Sequence, residues 1–132
     1  MAQPNPRQFH TQQVHYLRKK VNYNDANIGT GVIMGTVPAG SQITDIGINV
    51  QTAFNAATTN NLLLGTAAAG NQIATTTDSA AGSTGFKRVT TGAALAPFAA
   101  DTDVFVTYTQ TGAAATAGVA HIVISYVPNN DL

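Results

Sequence analysis

The sequence predicts an all-β fold, an antiparallel sandwich or barrel of about eight short strands. Turn residues recur at regular spacing between short apolar segments along the chain. Several of these segments alternate apolar and polar residues, which is the period of a half-buried strand. Glu is absent, and the Ala-rich stretches are broken by Gly and Thr without an apolar stripe. We therefore expect no substantial helix.

Three segments show the alternation most clearly: residues 43–54, 104–110 and 119–127. A strand with this alternation is expected to bury one face and expose the other. The sets that share a face are Ile46, Ile48 and Val50, then Val104, Val106 and Tyr108, then Ile122, Ile124 and Tyr126.

Five further strands are predicted on weaker patterns, at residues 13–23, 28–37, 62–64, 72–77 and 86–90. Polar or Gly-containing turns separate them. Pro-Ala-Gly-Ser at 38–41 is typical, because Pro presets one turn dihedral and Gly accepts a positive φ.

The 132 residues are enough for one domain. Residues 1–12 are expected to form an extended arm, because Pro4 and Pro6 cannot continue a helix or a strand ladder. Residues 13–132 are expected to form a single β-sandwich domain. We interpret the arm as a segment that binds a partner or sister subunit, and a terminus without a binding role is the alternative.

The charge balance excludes several classes of partner. Six Lys and Arg residues face six Asp residues, so the net charge is zero, whereas a nucleic-acid binder needs a basic excess. No segment reaches the roughly 20 apolar residues of a membrane helix, and the first residues lack the apolar run of a secretory signal. We expect no nucleic-acid or membrane partner and synthesis in the cytoplasm. A net charge near zero favours self-association, and a monomer with few charges is the alternative.

No residue pattern supports catalysis or metal binding. The chain has no Cys, and His10, His15 and His121 lack acidic neighbours in the sequence. Asp101 and Asp103 could hold calcium, but capping of a turn is the simpler interpretation. We therefore expect no enzyme activity and no cofactor.

Two basic clusters are the strongest candidates for a binding role: Arg18-Lys19-Lys20 and Lys87-Arg88. They could meet an acidic partner surface. The alternative is a solvated strand edge, where Lys discourages unwanted pairing. With two side chains of the arm, the candidate partner-binding residues are Arg7, Phe9, Arg18, Lys19, Lys20, Lys87 and Arg88.

Five short segments follow one another in a distinctive order of turns and strands. They are VPAGSQI at 37–43, TAFN at 52–55, TNNLLLG at 59–65, VTYTQTG at 106–112 and IVISYV at 122–127. The chain looks like the jelly-roll cement (decoration) proteins of tailed bacteriophages.

The resemblance implies a jelly roll that binds the outside of a phage capsid as a homodimer or homotrimer. It implies that the major capsid protein is the partner, that the chain stabilises the virion by bridging subunits, and that no cofactor is needed. A head-fibre or tail-associated protein and a carbohydrate-binding module are the alternatives. An exposed platform of Tyr16, Tyr23 and Tyr126 would favour the last.

Overall fold

A computed structural model describes residues 13–89 and 97–129 of the chain. It confirms the predicted all-β sandwich, since the described residues form two antiparallel sheets and one short helix. The elements are β1 (His15–Asn22), β2 (Val32–Val37), β3 (Gln42–Thr52), β4 (Thr59–Gly65), α1 (Thr76–Ser79), β5 (Gly85–Arg88), β6 (Thr102–Thr111) and β7 (Val119–Val127).

The strand order is that of a jelly roll. One sheet has the order β1-β7-β3-β5 and the other the order β2-β6-β4. An eight-stranded jelly roll joins its first, eighth, third and sixth strands in one sheet, and its second, seventh, fourth and fifth in the other. The observed order matches this pattern if the strand that would follow β4, the fifth of the eight, is reduced, so that β5, β6 and β7 are the sixth, seventh and eighth.

The reduced fifth strand is a single bridge between Ala74 and Leu64 of β4. The strand predicted at residues 72–77 is therefore wrong beyond this bridge, and α1 follows instead. The Asp78 carboxylate accepts hydrogen bonds from the backbone N and the hydroxyl of Thr75, at 2.7 and 2.8 Å. This arrangement starts a helix rather than a strand. The backbone N of Leu62 donates to Ser79 Oγ, so α1 covers part of the β4 edge.

The core lies between the inner faces of the two sheets. The three alternating sets, Ile46, Ile48 and Val50, Val104, Val106 and Tyr108, and Ile122, Ile124 and Tyr126, are all buried in one hydrophobic cluster. In β3, a one-residue register shift between Ile43 and Asp45 lets Ile43 and Ile46 both face inward. Such a bulge inserts one residue into the two-residue period.

Two further segments differ from or lie outside the predictions. The strand predicted from residue 28 begins only at Val32, because residues 28–31 form turns. The predicted arm, residues 1–12, lies outside the described residues. Within the described part of the chain, no helix is long and apolar enough to cross a bilayer.

Candidate partner-binding surface

The two basic clusters lie on the two edge strands of the same sheet. Residues 18–20 belong to β1 and residues 87–88 to β5, and β7 and β3 lie between these strands. Successive side chains of a strand point to opposite faces of the sheet. Each cluster is therefore divided between the outer and the inner face.

One row of residues crosses the outer face from edge to edge. Arg18 is paired with Val123, Val123 with Gly47, and Gly47 with Arg88. Three strand spacings separate the two arginines, a Cα distance of about 14 Å. The fold thus places two basic residues from distant parts of the sequence on one surface.

The adjacent row contains Lys20, His121, Asn49 and Phe86 in the same strand order. Arg18 links the two rows, because its guanidinium lies 3.3 Å from His121 Nδ1. On the other side of the ring, Nε2 lies 3.1 Å from Gln51 Oε1. Arg18 can only donate and Gln51 Oε1 can only accept, so the two contacts are satisfied when Nδ1 accepts and Nε2 donates.

Asp45 holds the second arginine in place. Its carboxylate lies 3.0 Å from Arg88 Nε, with the two side chains 39% and 66% exposed. An ion pair this exposed contributes about 0–1 kcal/mol to stability, so its main effect is on the direction of the guanidinium. Asp45 lies within β3, inside the strand predicted at residues 43–54.

Exposed aromatic side chains accompany these charges. Phe86 is 60% exposed and Tyr16 is 63% exposed. The Phe86 ring lies over Gly47, where a Cβ atom would overlap it. We call the outer side of this sheet the basic face, formed by Tyr16, Arg18, Lys20, Asp45, Gly47, Asn49, Phe86, Arg88, His121 and Val123.

The side chains of Lys19 and Lys87 lie on the inner side of the sheet, opposite the basic face. Lys19 is paired with Ile122 and Lys87 with Ile48, both of which are core residues, and the two lysines are half-buried. Lys87 Nζ donates to the backbone carbonyl of Ser83 at 2.6 Å. Inward-directed lysines on edge strands oppose pairing with another chain, so these two fit the strand-edge interpretation.

Sequence reasoning missed Phe86, His121 and Asp45 as members of this surface. Phe86 could have been found from Arg88, because residues two apart on a strand share a face. His121 belongs to β7 and Asp45 to β3, and only the pairing of these strands with β1 and β5 brings the two residues next to the basic clusters. Arg7 and Phe9 lie outside the described residues.

The tyrosine platform expected of a carbohydrate-binding module is not assembled. Tyr16 is on the outer face, whereas Tyr126 is buried on the inner face and stacks with His15 at a centroid distance of 5.6 Å. Tyr23 is half-buried in the turn after β1 and packs against the core.

The aspartates considered for calcium bind protein groups. Asp101 accepts a hydrogen bond from the backbone N of Ala39 at 2.8 Å, and Asp103 accepts one from Thr36 Oγ1 at 2.6 Å. In residues 13–89 and 97–129, no three His, Cys, Asp or Glu residues lie close enough to hold a metal ion together. We also find no pocket in this part of the chain.

Comparison with solved structures gives matches over almost the whole chain. A chain of the cyanophage Pam1 capsid asymmetric unit is similar, with a TM-score of 0.71, 17% identity, and coverage of 96% of this chain and 93% of that one. A chain of the capsid of Ralstonia phage GP4 is similar with a TM-score of 0.58 and 15% identity, covering 98% of this chain and 92% of that one. The chain shares its fold with both.

No protein-family model matches the sequence, and no curated protein is significantly similar to it. At identities of 15–17% the likeness shows the fold and does not identify contact residues. The contacts must therefore be inferred from the surface of this chain.

Proposed function

We propose that the chain is a structural protein of a phage virion that binds the outside of the capsid and stabilises it by bridging major capsid protein subunits. The observation that carries the proposal is the shared fold with a chain of the Pam1 capsid over 96% of the sequence. The fold and order of motifs that resemble cement proteins support it. The proposed role involves no catalysis and no cofactor.

The physical basis is that many weak contacts stabilise a symmetric shell. A small protein bound across two subunits must be released from one of them before they separate. The gain at each site is modest, but it recurs at every equivalent position of the shell. A sandwich whose two sheets share one hydrophobic core is a rigid bridge of this kind.

Self-association as a homodimer or homotrimer belongs to the same proposal. It would place two or three capsid-binding surfaces in one particle and raise the effective concentration of the second contact. The low net charge of the chain opposes such association only weakly.

A second candidate is a head-fibre or tail-associated virion protein, since these also use β-sandwiches. A carbohydrate-binding module is less well supported, because Tyr126 is buried and does not join Tyr16 on the surface.

The test uses shells from which the chain is absent, to which the purified chain is then added. We expect stoichiometric binding and a higher temperature of shell disruption, measured by access of a dye to the packaged DNA. Binding without any change in disruption temperature would contradict the stabilising role. Absence of binding would contradict the capsid role itself.

A further inference from the structure

We propose that the basic face is the surface through which the chain docks, and that its partner is an acidic protein surface on the capsid shell. This inference rests on the proposed function and specifies the contact that the proposed function requires. The evidence is the net positive charge of this face, its exposed aromatic and arginine side chains, and the repulsion that a two-fold dimer through it would create.

The basic face carries most of the positive charge of the described residues. Arg18, Lys20 and Arg88 stand against Asp45 alone, which is a net charge of +2. The other described aspartates lie outside the four strands of this sheet, at positions 25, 78, 101 and 103. A chain of zero net charge thus presents one clearly positive surface, which is complementary to an acidic one.

The side chains on this face are those that protein interfaces favour. Arginine, tyrosine and phenylalanine are enriched at interface centres and dominate their binding energy. The exposed rings of Tyr16 and Phe86 and the guanidinium groups of Arg18 and Arg88 are distributed over this one face, at its two edge strands. Arg18 and Arg88 are also oriented by His121 and Asp45, which reduces the freedom lost on binding.

Symmetry argues against a second copy of the chain as the occupant. A two-fold dimer through this face would oppose the same patch on both subunits. Two faces that each carry a net charge of +2 would then oppose each other, which is repulsive. Nucleic acid is disfavoured because the face is small and the net charge of the chain is zero.

The size of the face makes the charges important. Four strands about 4.8 Å apart and a β1 of 8 residues give a surface of about 19 by 26 Å, or roughly 500 Å². A standard stable interface buries about 800 Å² on each partner. A single contact through this face is therefore weak, and loss of two of its cations should be easily measured.

The chain offers a matched pair of variants for the test. Arg18→Gln with Lys20→Gln removes two charges from the basic face, whereas Lys19→Gln with Lys87→Gln removes two from the inner edges. Net charge changes equally in both. Binding to shells that lack the chain is measured by co-sedimentation at several NaCl concentrations, after thermal unfolding has shown both variants to be folded.

We expect the first variant to lose about tenfold in affinity at roughly 0.1 M salt, with a shallower salt dependence, and the second to stay within about twofold of the wild type. Phe86→Ala should weaken binding without changing the salt dependence.

Equal losses in the two charge variants would indicate overall charge rather than this face and would overturn the proposal. The proposal would also be overturned if the Arg18 and Lys20 variant bound shells as the wild type does but lost self-association or binding to duplex DNA. The basic face would then serve one of those contacts instead. If the wild-type chain does not bind shells, the proposed function fails and the docking proposal with it. If the wild type binds and neither variant differs, only the docking proposal fails.

Discussion

The ring of Phe86 lies across Gly47 of the neighbouring strand, with no space for a side chain at position 47. Gly47 is in the interior of β3, where Gly normally weakens a strand. Here its missing side chain leaves room for the outer end of an exposed aromatic ring. The glycine thus shapes the centre of the basic face.

This relationship predicts that Gly47→Ala and Phe86→Ala are coupled. Gly47→Ala alone should lower the unfolding free energy by about 1 kcal/mol or less, because the outer end of the exposed Phe86 ring must move aside. In the Phe86→Ala background the same change should be neutral or slightly stabilising, since Ala costs less backbone entropy than Gly. Urea denaturation of the four proteins measures the coupling. Additive effects would show that the ring does not rest on Gly47.

We predict a larger cost at Gly118, next to the core. Gly118 has a φ of +153°, and a Cβ atom there would overlap Phe54, which packs on Tyr108 at a ring-centroid distance of 4.7 Å. Gly118→Ala should therefore cost at least about 2 kcal/mol in unfolding free energy. Gly29→Ala is the matched control, because nothing lies within 4 Å of its Cβ position. Equal midpoints of unfolding for the two variants would contradict this.

The Tyr108 hydroxyl predicts a pH dependence of stability at alkaline pH. Burial raises the pKa of Tyr108 above its ordinary value of 10.0, so the folded state holds this proton more tightly than the unfolded state. The contribution is constant below about pH 10 and is lost as pH rises through the raised pKa.

Tyr108→Phe should remove that alkaline component, which stability measurements between about pH 8 and pH 11 would detect. The variant should also lose about 1 kcal/mol at neutral pH, because the hydroxyl donates to Asn60 Oδ1 at 2.6 Å. An identical alkaline decline in wild type and variant would assign the effect to other groups.

The edge lysines lead to a prediction about solubility. Replacing Lys19 and Lys87 with Val should promote association between sheet edges, because apolar, β-favouring side chains replace the inward-directed polar ones that oppose strand pairing. Light scattering over a range of concentrations measures this. The corresponding Gln variant keeps polar side chains at both edges and should remain disperse. A disperse Val variant would show that these lysines do not protect the edges.

Much of the fold could be predicted because several strands keep a two-residue period of apolar side chains over most of their length. Residues 119–127 alternate without interruption, and the structure gives β7 the same bounds. The shortening of the strand predicted at residues 72–77 to a single bridge at Ala74 could not be predicted. The capping of α1 through Thr75 and Asp78 ends the strand there. Local sequence favoured a strand around Ile73, and the helix start competes with it.

The basic clusters were visible in the sequence, but their division between two faces required the sheet order. Arg18 and Arg88 share a surface only because β7 and β3 lie between their strands in a particular register. No local pattern encodes that register over a separation of 70 residues. The same pairing adds His121 and Asp45 to the surface, neither of which carries a signal in the sequence.

The number of copies of the chain in purified virions, relative to the major capsid protein, is the first quantity to measure. A protein that bridges shell subunits occupies symmetry-equivalent sites, so we expect a ratio near one to one or a simple fraction of it. A few copies per particle would indicate a tail or fibre protein. Absence of the chain from the particle would contradict a structural role in the virion.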